Sequence, residues 1–391
     1  MHNRPHGIGS AHTRPKWSGY VFSIAVLTIA IATGLLTGCP SEPQSTQAAK
    51  EAASAAAPRP SVALRVLVVN EPELTDAIDR LRGEWAEQSG GELNASAATW
   101  ADLSAAKEID ADAIIFPSRY LGELCVRNQI RPVRPNVLES KDLDATDFFP
   151  AVRHELIHWG GQVMALPLGI DLMETGAGSG HHPAISLLTL AAPQAMSKER
   201  LGALFDSETM RPRIAEPPFV DALTQLVQSN KDRHAVGSRE TRAAAVLGYS
   251  DRLIAVTSSS HNAASAFQLI EWLAQPDTSS QLARAGGGTL PVRRSLATSA
   301  LWYDPSLSAS ERAELGKTLE AALSERGCLL IPRIRGVDEY MAALDKAVRE
   351  ALAGDVAPDV ALQRASVRWG EVTEAHGRDR QREAYLKHLG L

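Results

Sequence analysis

The most specific chemical pattern in the sequence is the run His154-Glu155-Leu156-Ile157-His158, which has the form HExxH. On an α-helix, two histidines four residues apart lie on one face, where they can bind zinc. The glutamate between them can then act as the general base of a hydrolase. The pattern therefore raises an enzymatic hypothesis, with His154 and His158 as metal ligands and Glu155 as the base.

The surroundings of this motif weaken the hypothesis. The sequence predicts a helix from Thr146 to Trp159, and its apolar stripe, which we expect to face the core, leaves His154 and His158 toward water. Candidates for a third ligand lie in a glycine-rich stretch and are Glu174, His181 and His182. We therefore keep a zinc-dependent hydrolase as an alternative, and we predict neither a metal nor a cofactor.

Other patterns for catalysis are missing from the sequence. It contains no GxxxxGK[ST] phosphate loop, no GxSxG elbow and no CxxC pair. Apart from Cys39 near the N-terminus, the cysteines are Cys125 and Cys328, and their spacing leaves both a disulfide and two buried thiols open. The sequence therefore favours a protein that is not an enzyme.

Short apolar runs alternate with helical patterns along most of the chain. These runs are rich in β-branched and other apolar residues, as buried strands are. The predicted strands are Leu64–Val69, Leu93–Ala98, Ala113–Phe116, Gln162–Leu166 and Leu253–Thr257. Strands that alternate with helices predict an α/β protein with an open parallel or mixed sheet. The stretch from Gly176 to Ser250 is the least regular, with helices predicted at Lys198–Phe205 and Phe219–Gln228.

The N-terminus has the pattern of an export signal. Three basic residues precede the apolar run Tyr20–Leu36, which ends in Leu36-Thr37-Gly38-Cys39. This ending resembles the lipobox of bacterial lipoproteins, so residues 1–39 are predicted to be a lipoprotein signal with Cys39 as the lipidated residue. An uncleaved membrane anchor is the alternative. Residues 40–62 are rich in Ala, Ser, Pro and Gln, and their composition predicts a flexible tether.

The charge balance argues against a nucleic-acid partner. The formal net charge is −6, and removal of the signal would take away three basic residues and no acidic ones. Acidic and basic residues are well mixed along the rest of the chain. A protein that binds nucleic acid through its phosphates needs a basic surface, which this composition does not offer.

Four stretches together resemble extracellular solute-binding protein family 1, the maltose-binding-like substrate-binding lipoproteins of ABC transporters. Leu64–Ser89 resembles the first strand–helix unit of the family, and Gly161–Pro167 (GQVMALP) resembles its GKxYxLP strand. The run Leu253–Arg294 resembles a strand followed by SKxxxAAxxFIxWL and GxLPVRxS. Glu339–Leu391, with its YLKHLGL ending, resembles the C-terminal helices. The YN or YR strand and the PxTWxEL helix that the family has after Asp171 are missing.

The resemblance implies a type 2 periplasmic-binding-protein fold, with two lobes joined by a hinge. The implied N-terminal lobe comprises residues 63–171 and 256–300, and the implied C-terminal lobe comprises residues 172–255 and 301–391. The second lobe is shortened, because the segment between the two hinge strands is brief.

The implied function is that of the extracytoplasmic solute-binding component of an ABC importer, delivering a small polar solute to a permease. A sugar is the preferred candidate. The implied protein is a monomer in the periplasm or at the cell surface, held to the membrane by its lipid. A sensor or scaffold with the same fold but no part in transport is a further alternative.

The ends of the strands are the expected place for the solute, since ligands of open parallel sheets bind beyond the carboxyl ends of the strands. Tryptophan rings can cover the apolar faces of a sugar, while amides and carboxylates bind its hydroxyls. The predicted solute-binding residues at these ends are Asn70, Glu71, Trp100, Ser118 and Asp171. Trp302 is added because the resemblance implies that the segment it begins returns toward the cleft.

Overall fold

The structure is a computed structural model, and it describes residues 62–171, 182–198, 202–231, 245–283, 285, 289–303, 305–324 and 328–391. The predicted signal with Cys39, most of the tether, and the possible zinc ligands Glu174 and His181 lie outside these residues. Everything described belongs to one compact unit, Pro58–Leu391.

A five-stranded mixed sheet forms the centre of the first half of the fold. Its strands are Ala63–Val69 (β1), Glu92–Ala98 (β2), Ala113–Pro117 (β3), Leu166–Gly169 (β6) and Arg252–Val256 (β8). Their spatial order is β2-β1-β3-β8-β6. β1 is parallel to β2 and β3, whereas β8 is antiparallel to β3 and β6. Four of the five predicted strands are thus confirmed, each to within one residue. The strand predicted at Gln162–Leu166 is wrong, because residues 162–163 pair in a short hairpin and β6 begins only at Leu166.

Burial explains why these segments form strands. Leu64, Val66 and Val68 alternate with more exposed residues along β1, as expected for a strand whose two faces differ. Every residue of β3 and β8 is buried, which matches their position between other strands. The apolar runs in the sequence therefore correspond to the middle of the sheet.

Helices flank this sheet and make up most of the C-terminal part. They are Glu73–Arg80 (α1), Arg82–Ser89 (α2), Trp100–Ala105 (α3), Leu121–Val126 (α4), Pro135–Leu138 (α5), Pro183–Lys198 (α6), Pro217–Lys231 (α7), Ala263–Leu273 (α8), Pro276–Leu282 (α9), Ala309–Ala322 (α10), Val337–Ala353 (α11), Pro358–His376 (α12) and Arg378–His388 (α13). No helix in the described part of the chain is long and apolar enough for a bilayer.

Helix boundaries follow the local chemistry. Ser308 and Glu311 form the predicted capping box at the start of α10. α11 ends at Gly354, whose φ of 83° lies in the left-handed region that glycine adopts readily. Pro358 occupies the first turn of α12, where the missing N–H costs nothing.

A second, smaller sheet lies in the C-terminal part. It pairs Ala245–Leu247 (β7) with Cys328–Leu330 (β9) in parallel. α6 packs on this sheet and on α7 and α11, and α11 packs on α12. Cys125 and Cys328 are free thiols, so no disulfide joins them.

The predicted helix Thr146–Trp159 is wrong in both its length and its type. A 3₁₀ turn covers Ala145–Asp147, a π-helical turn covers Val152–Leu156, and the chain then enters a hairpin. The hairpin pairs His158–Trp159 (β4) with Gln162–Val163 (β5). Gly160 and Gly161, with φ of 55° and 76°, form its two-residue turn. This turn fits antiparallel strands, so the two glycines form a hairpin rather than only ending a helix.

The irregular middle of the sequence contains a long helix that was not predicted. α6 covers Pro183–Lys198, and its apolar residues are buried on several sides because α6 lies between the second sheet and neighbouring helices. A helix that is apolar all round lacks the one-sided pattern by which helices are recognised. The helix predicted at Lys198–Phe205 is wrong for its described part, because residues 202–205 form a turn and a β-bridge.

Candidate functional site

One edge of the five-stranded sheet brings most of the predicted solute-binding residues together. β1, β2 and β3 are parallel and end at this edge. β8 is antiparallel and therefore begins there, with Arg252 paired to Pro117 at the end of β3. Residues after three strands and residues before a fourth thus share one location. We call it the strand-end edge.

Asn70 turns the chain at the end of β1. Its φ of 60° lies in the left-handed region, which asparagine tolerates better than most residues. Its Oδ1 accepts a hydrogen bond of 2.9 Å from the backbone N–H of Trp100. The amide of Asn70 therefore fixes the start of α3 beside the end of β1.

Trp100 stacks on Tyr120 with a ring separation of 3.9 Å and an interplanar angle of 6°. The guanidinium of Arg119 lies over two rings, 4.5 Å from the centre of Tyr120 and 4.7 Å from that of Tyr249. Burial raises the pKa of Tyr120 to about 12, so its hydroxyl stays protonated at neutral pH. We call Trp100, Arg119, Tyr120 and Tyr249 the aromatic cluster.

Residues of the C-terminal half of the chain close this cluster. Asp338 of α11 pairs with Arg119 at 3.0 Å and accepts a hydrogen bond of 2.9 Å from the hydroxyl of Tyr120. His182 meets the ring of Tyr249 edge-on at 5.3 Å, and its Nδ1 lies 3.0 Å from Asp345 of α11. The strand-end edge therefore faces an imidazole and two carboxylates, of which Asp338 is half-exposed and Asp345 is largely buried.

Glu71 forms an ion pair with Arg252, a side chain that is only 1% exposed. The Nε of Arg252 donates to Glu71 at 2.9 Å, and its other nitrogens reach the carbonyl oxygens of Leu282 and Ala285. Glu71 is thus the carboxylate that compensates a buried charge. One of its oxygens, Oε2, accepts both hydrogen bonds from this guanidinium.

Ser118 and Asp171 converge on a third residue, Asp251. The hydroxyl of Ser118 donates to Asp251 at 2.8 Å, and the backbone N–H of Asp171 donates to the same carboxylate at 3.2 Å. Burial raises the pKa of Asp251 to about 6, although three hydrogen bonds to the ionised form oppose the shift.

Trp302 does not join the other five predicted residues. It packs with Ala283 and Tyr303 in a small separate cluster, and its indole N–H donates to the hydroxyl of Ser280 at 3.0 Å. The ring is 4% exposed. These contacts are those of a core residue with a satisfied donor.

Several residues of the strand-end edge were not predicted from the sequence. Arg119 and Tyr120 directly follow Ser118, and Tyr249 and Asp251 directly precede β8. In a wholly parallel sheet, only the residues after each strand reach this edge, so the residues predicted from the strands were confined to them. Since β8 runs antiparallel, the residues that precede it reach the same edge, and the apolar run alone carries no sign of its direction.

The HExxH segment lies elsewhere and lacks the geometry that its zinc hypothesis requires. His154 belongs to the π-helical turn and is exposed, whereas His158 begins a strand. The two imidazoles therefore do not lie on the same face of one α-helix. Within the described residues, no group of three or more His, Cys, Asp or Glu side chains could hold a metal ion.

The same segment lines a cavity of about 350 Å³, together with residues of β9 and α13. Behind it, the buried Arg333 donates to the backbone oxygens of Leu156 and His158 and to Nδ1 of His388. Burial lowers the pKa of His158 and lowers that of His388 well below its ordinary value. Both imidazoles are therefore neutral at pH 7.

Comparison with solved structures identifies the fold. The sugar-binding protein MalE from the phytopathogen Xanthomonas citri matches with a TM-score of 0.60 and 15% sequence identity, over 82% of this chain and 99% of that one. A solute-binding protein of an ABC transporter from Thermotoga lettingae, bound with α-D-tagatose, matches with a TM-score of 0.55 and 13% identity, over 80% of this chain and 100% of that one.

A substrate-binding protein of an ABC transporter from Listeria monocytogenes, in complex with cycloalternan, matches with a TM-score of 0.54 and 12% identity. That match covers 81% of this chain and 99% of the other. No protein-family model matches the sequence, and no curated protein matches it. The chain has the periplasmic-binding-protein fold, so the expected resemblance is confirmed at the level of the fold.

Proposed function

We propose that this protein is the extracytoplasmic solute-binding component of an ABC importer. In this function it holds a small polar solute, with sugars and polyols as the preferred class, and passes it unchanged to a permease. The observation that carries the proposal is a fold likeness to solute-binding proteins over about four-fifths of the chain and nearly the whole of each of those proteins. Two of those structures hold a sugar.

The proposed solute site lies between two lobes, at the strand-end edge. The N-terminal lobe comprises residues 63–171 and 256–300, and the shortened C-terminal lobe comprises residues 172–255 and 301–391. The positions of β7 and β9 within the second lobe support this partition, although β8 of the larger sheet crosses its boundary at residue 256. Under this partition, Arg119 of the first lobe pairs with Asp338 of the second.

The contacts that a solute would use depend on the bonds already made at this edge. Glu71 and Ser118 are bound to Arg252 and Asp251, so we assign them to support of the site. The Trp100 face turned away from Tyr120 and the amide nitrogen of Asn70 offer an apolar platform and a donor. That combination suits a sugar or a polyol, which presents C–H groups and hydroxyls together.

The remaining parts of the proposal concern location and partners. Cys39 would carry the lipid, and residues 40–62 would tether a monomeric binding domain to the outer face of a membrane beside its permease. The leader sequence, with its basic start, apolar core and Leu-Thr-Gly-Cys ending, supports this part. Mass spectrometry of the mature N-terminus tests it, since an acylated Cys39 has a distinctive mass.

Ligand screening tests the function directly. We expect at least one member of a panel of neutral sugars and polyols, including ribitol, tagatose, maltose and maltotetraose, to raise the melting temperature. A ligand at 100 times its Kd stabilises the folded state by about 2.7 kcal/mol. If no member of the panel binds, and purified protein carries stoichiometric zinc and hydrolyses a peptide, the hydrolase alternative replaces the proposal.

A pair of matched variants locates the site. Trp100→Phe reduces the ring at the strand-end edge, and we expect the Kd for the identified sugar to rise about threefold to tenfold, or about 1 kcal/mol. Trp85→Phe makes the same change in the core, where Trp85 packs against Trp272. It should lower stability and leave the Kd of the folded protein unchanged. Equal effects on the Kd would place the solute elsewhere. If the protein binds a solute but cells that lack the protein take up that solute equally well, the sensor or scaffold alternative is favoured.

A further inference from the structure

The carboxylate of Asp251 lies in a connection between the two sheets. The chain leaves the first sheet after β6, which ends at Gly169, and it returns from β7 in the second sheet to β8 in the first. The return consists of the four residues Gly248–Asp251. We call Ile170–Asp171 the outgoing connection and Gly248–Asp251 the returning connection.

Asp251 binds both connections and the end of β3. Its Oδ2 accepts hydrogen bonds from the backbone N–H of Gly248 at 2.6 Å and from the hydroxyl of Ser118 at 2.8 Å. Its Oδ1 accepts one of 3.2 Å from the backbone N–H of Asp171. One side chain therefore fixes the position of the two connections relative to each other and to the first sheet.

Charges around this carboxylate come from several elements. Asp171 on the outgoing connection repels its ionised form, and Arg333, before α11, attracts it. Arg252, the next residue in the chain and the first of β8, is paired with Glu71. Asp251 itself is 1% exposed, and this burial outweighs the three donors, raising its pKa to about 6.

Enclosure of Asp251 links proton binding to the arrangement of the lobes. In the arrangement seen here, Arg119 and Asp338 are in contact and the Asp251 carboxyl is shut away from water. A movement that separated the two connections would admit water and return the pKa toward the ordinary value of an aspartate, about 4. The enclosed Asp251 carboxyl binds its proton more tightly than the hydrated one. Proton uptake therefore favours the arrangement of the lobes in which Asp251 is enclosed.

On the basis of the proposed function, we propose that Asp251 is a positioning residue that couples the closing of the lobes on a solute to proton uptake, so that solute affinity rises in mildly acidic medium. With a carboxyl that titrates near pH 6 when enclosed and near pH 4 when hydrated, affinity rises by up to about tenfold between pH 7 and pH 5. Above pH 7 it is constant. Partial hydration in the open form makes the rise smaller.

The test is calorimetric titration of the protein with a neutral polyol or sugar from the panel at pH 5, 6, 7 and 8, because such a ligand does not itself titrate. In Asp251→Asn, which has nearly the same shape and no charge, we expect the profile to be flat. Asp110→Asn is the matched control at the opposite edge of the sheet, where Asp110 pairs with Arg65, and it should keep the wild-type profile. His182→Gln removes the imidazole near Tyr249, and a profile that became flat in this variant would assign the pH dependence to that imidazole and overturn the inference.

A second variant serves if Asp251→Asn fails to fold. Ser118→Ala removes one donor to the ionised carboxylate, so the rise in affinity should begin at a higher pH than in the wild type. A flat wild-type profile, a slope that survives in Asp251→Asn, or an unchanged midpoint in Ser118→Ala overturns the inference and leaves the proposed function standing. A protein that binds no solute at any pH overturns both.

Discussion

Arg119 and Asp338 join the two halves of the fold through an ion pair of 3.0 Å between Nε and Oδ1. Arg119 follows β3 of the five-stranded sheet, and Asp338 lies in the first turn of α11, far away in sequence. The aspartate side chain is 49% exposed, whereas the arginine is 14% exposed and lies between two tyrosine rings. The cation is therefore held in place and the anion is accessible to water.

Neutralising Asp338 should have a small and salt-dependent effect on stability. Asp338→Asn removes the charge but keeps an oxygen that can accept from Tyr120. Because the carboxylate is half-exposed, we expect the free energy of unfolding to fall by at most about 1 kcal/mol at low salt and by less in 1 M NaCl. Urea denaturation at both salt concentrations measures the change. Asp221→Asn, at an exposed site on α7, is the control; an equal loss there would contradict the assignment.

Removal of Glu71 should cost much more, because its partner is buried. Glu71→Ala leaves the guanidinium of Arg252 with carbonyl oxygens alone, and we expect a loss of about 3 kcal/mol in the free energy of unfolding. Asp110→Ala breaks the exposed pair with Arg65 and should cost less than about 1 kcal/mol. Adding Arg252→Met to Glu71→Ala should recover part of the loss. No recovery in the double variant would show that the charge is not the cause.

The sequence was sufficient to predict four of the five strands of the larger sheet, all except β6. Runs such as Ala113–Phe116 and Leu253–Thr257 are apolar because central strands are buried on both faces, and this burial is directly visible in their composition. The sequence of α6 shows no comparable pattern, since a helix enclosed on several sides has no polar stripe. The hairpin at Gly160–Gly161 was missed for another reason. Two glycines can end a helix or form a tight turn, and the pairing partner decides between these.

The residues of the strand-end edge were predicted in part, and the division has a physical cause. Asn70, Glu71 and Ser118 were predicted to share one edge of the sheet, as they do in the structure, because parallel strands end together. Their partners Arg252 and Asp251 belong to a strand of opposite direction, which composition does not reveal. Trp302 was nominated through the family resemblance, and the fold buries it beside Ser280. Direction and long-range pairing are properties of the tertiary structure.

The contact between α4 and the segment before α11 should not tolerate even a methyl group. A Cβ at Gly122 would overlap the backbone oxygen of Arg333 and the ring of Trp159. Gly122→Ala should therefore lower the free energy of unfolding by about 3 kcal/mol, the upper end of the cost of overpacking. Gly370→Ala in α12 is the matched control, because nothing lies within 4 Å of its added Cβ. It should stabilise the protein by about 0.5–1 kcal/mol, since alanine favours the helix. Comparable losses in thermal or urea denaturation would contradict the close approach.

Acid should destabilise the protein through His388, which is buried against Arg333. Burial and the neighbouring guanidinium lower the pKa of His388 well below 6.5 in the folded state. Below pH 6.5 the unfolded chain takes up a proton that the folded chain does not, so this residue reduces stability as the pH falls. The reduction reaches at most about 1.4 kcal/mol per pH unit. Asp251 has the opposite sign, because its raised pKa makes the folded state the better proton acceptor between pH 6 and 4.

Comparison of variants separates the two effects. His388→Asn places an oxygen near the position of Nδ1, so Arg333 keeps an acceptor while the titrating imidazole is lost. Between pH 7 and pH 5 the free energy of unfolding of this variant should fall by less than that of the wild type, with the Asp251 contribution common to both. His261→Asn, at an exposed position, is the control and should follow the wild type. Urea denaturation at half-unit pH intervals measures both slopes. If wild type and His388→Asn had parallel profiles, the imidazole would have to be protonated in the folded protein, and Arg333 would then face a second buried cation.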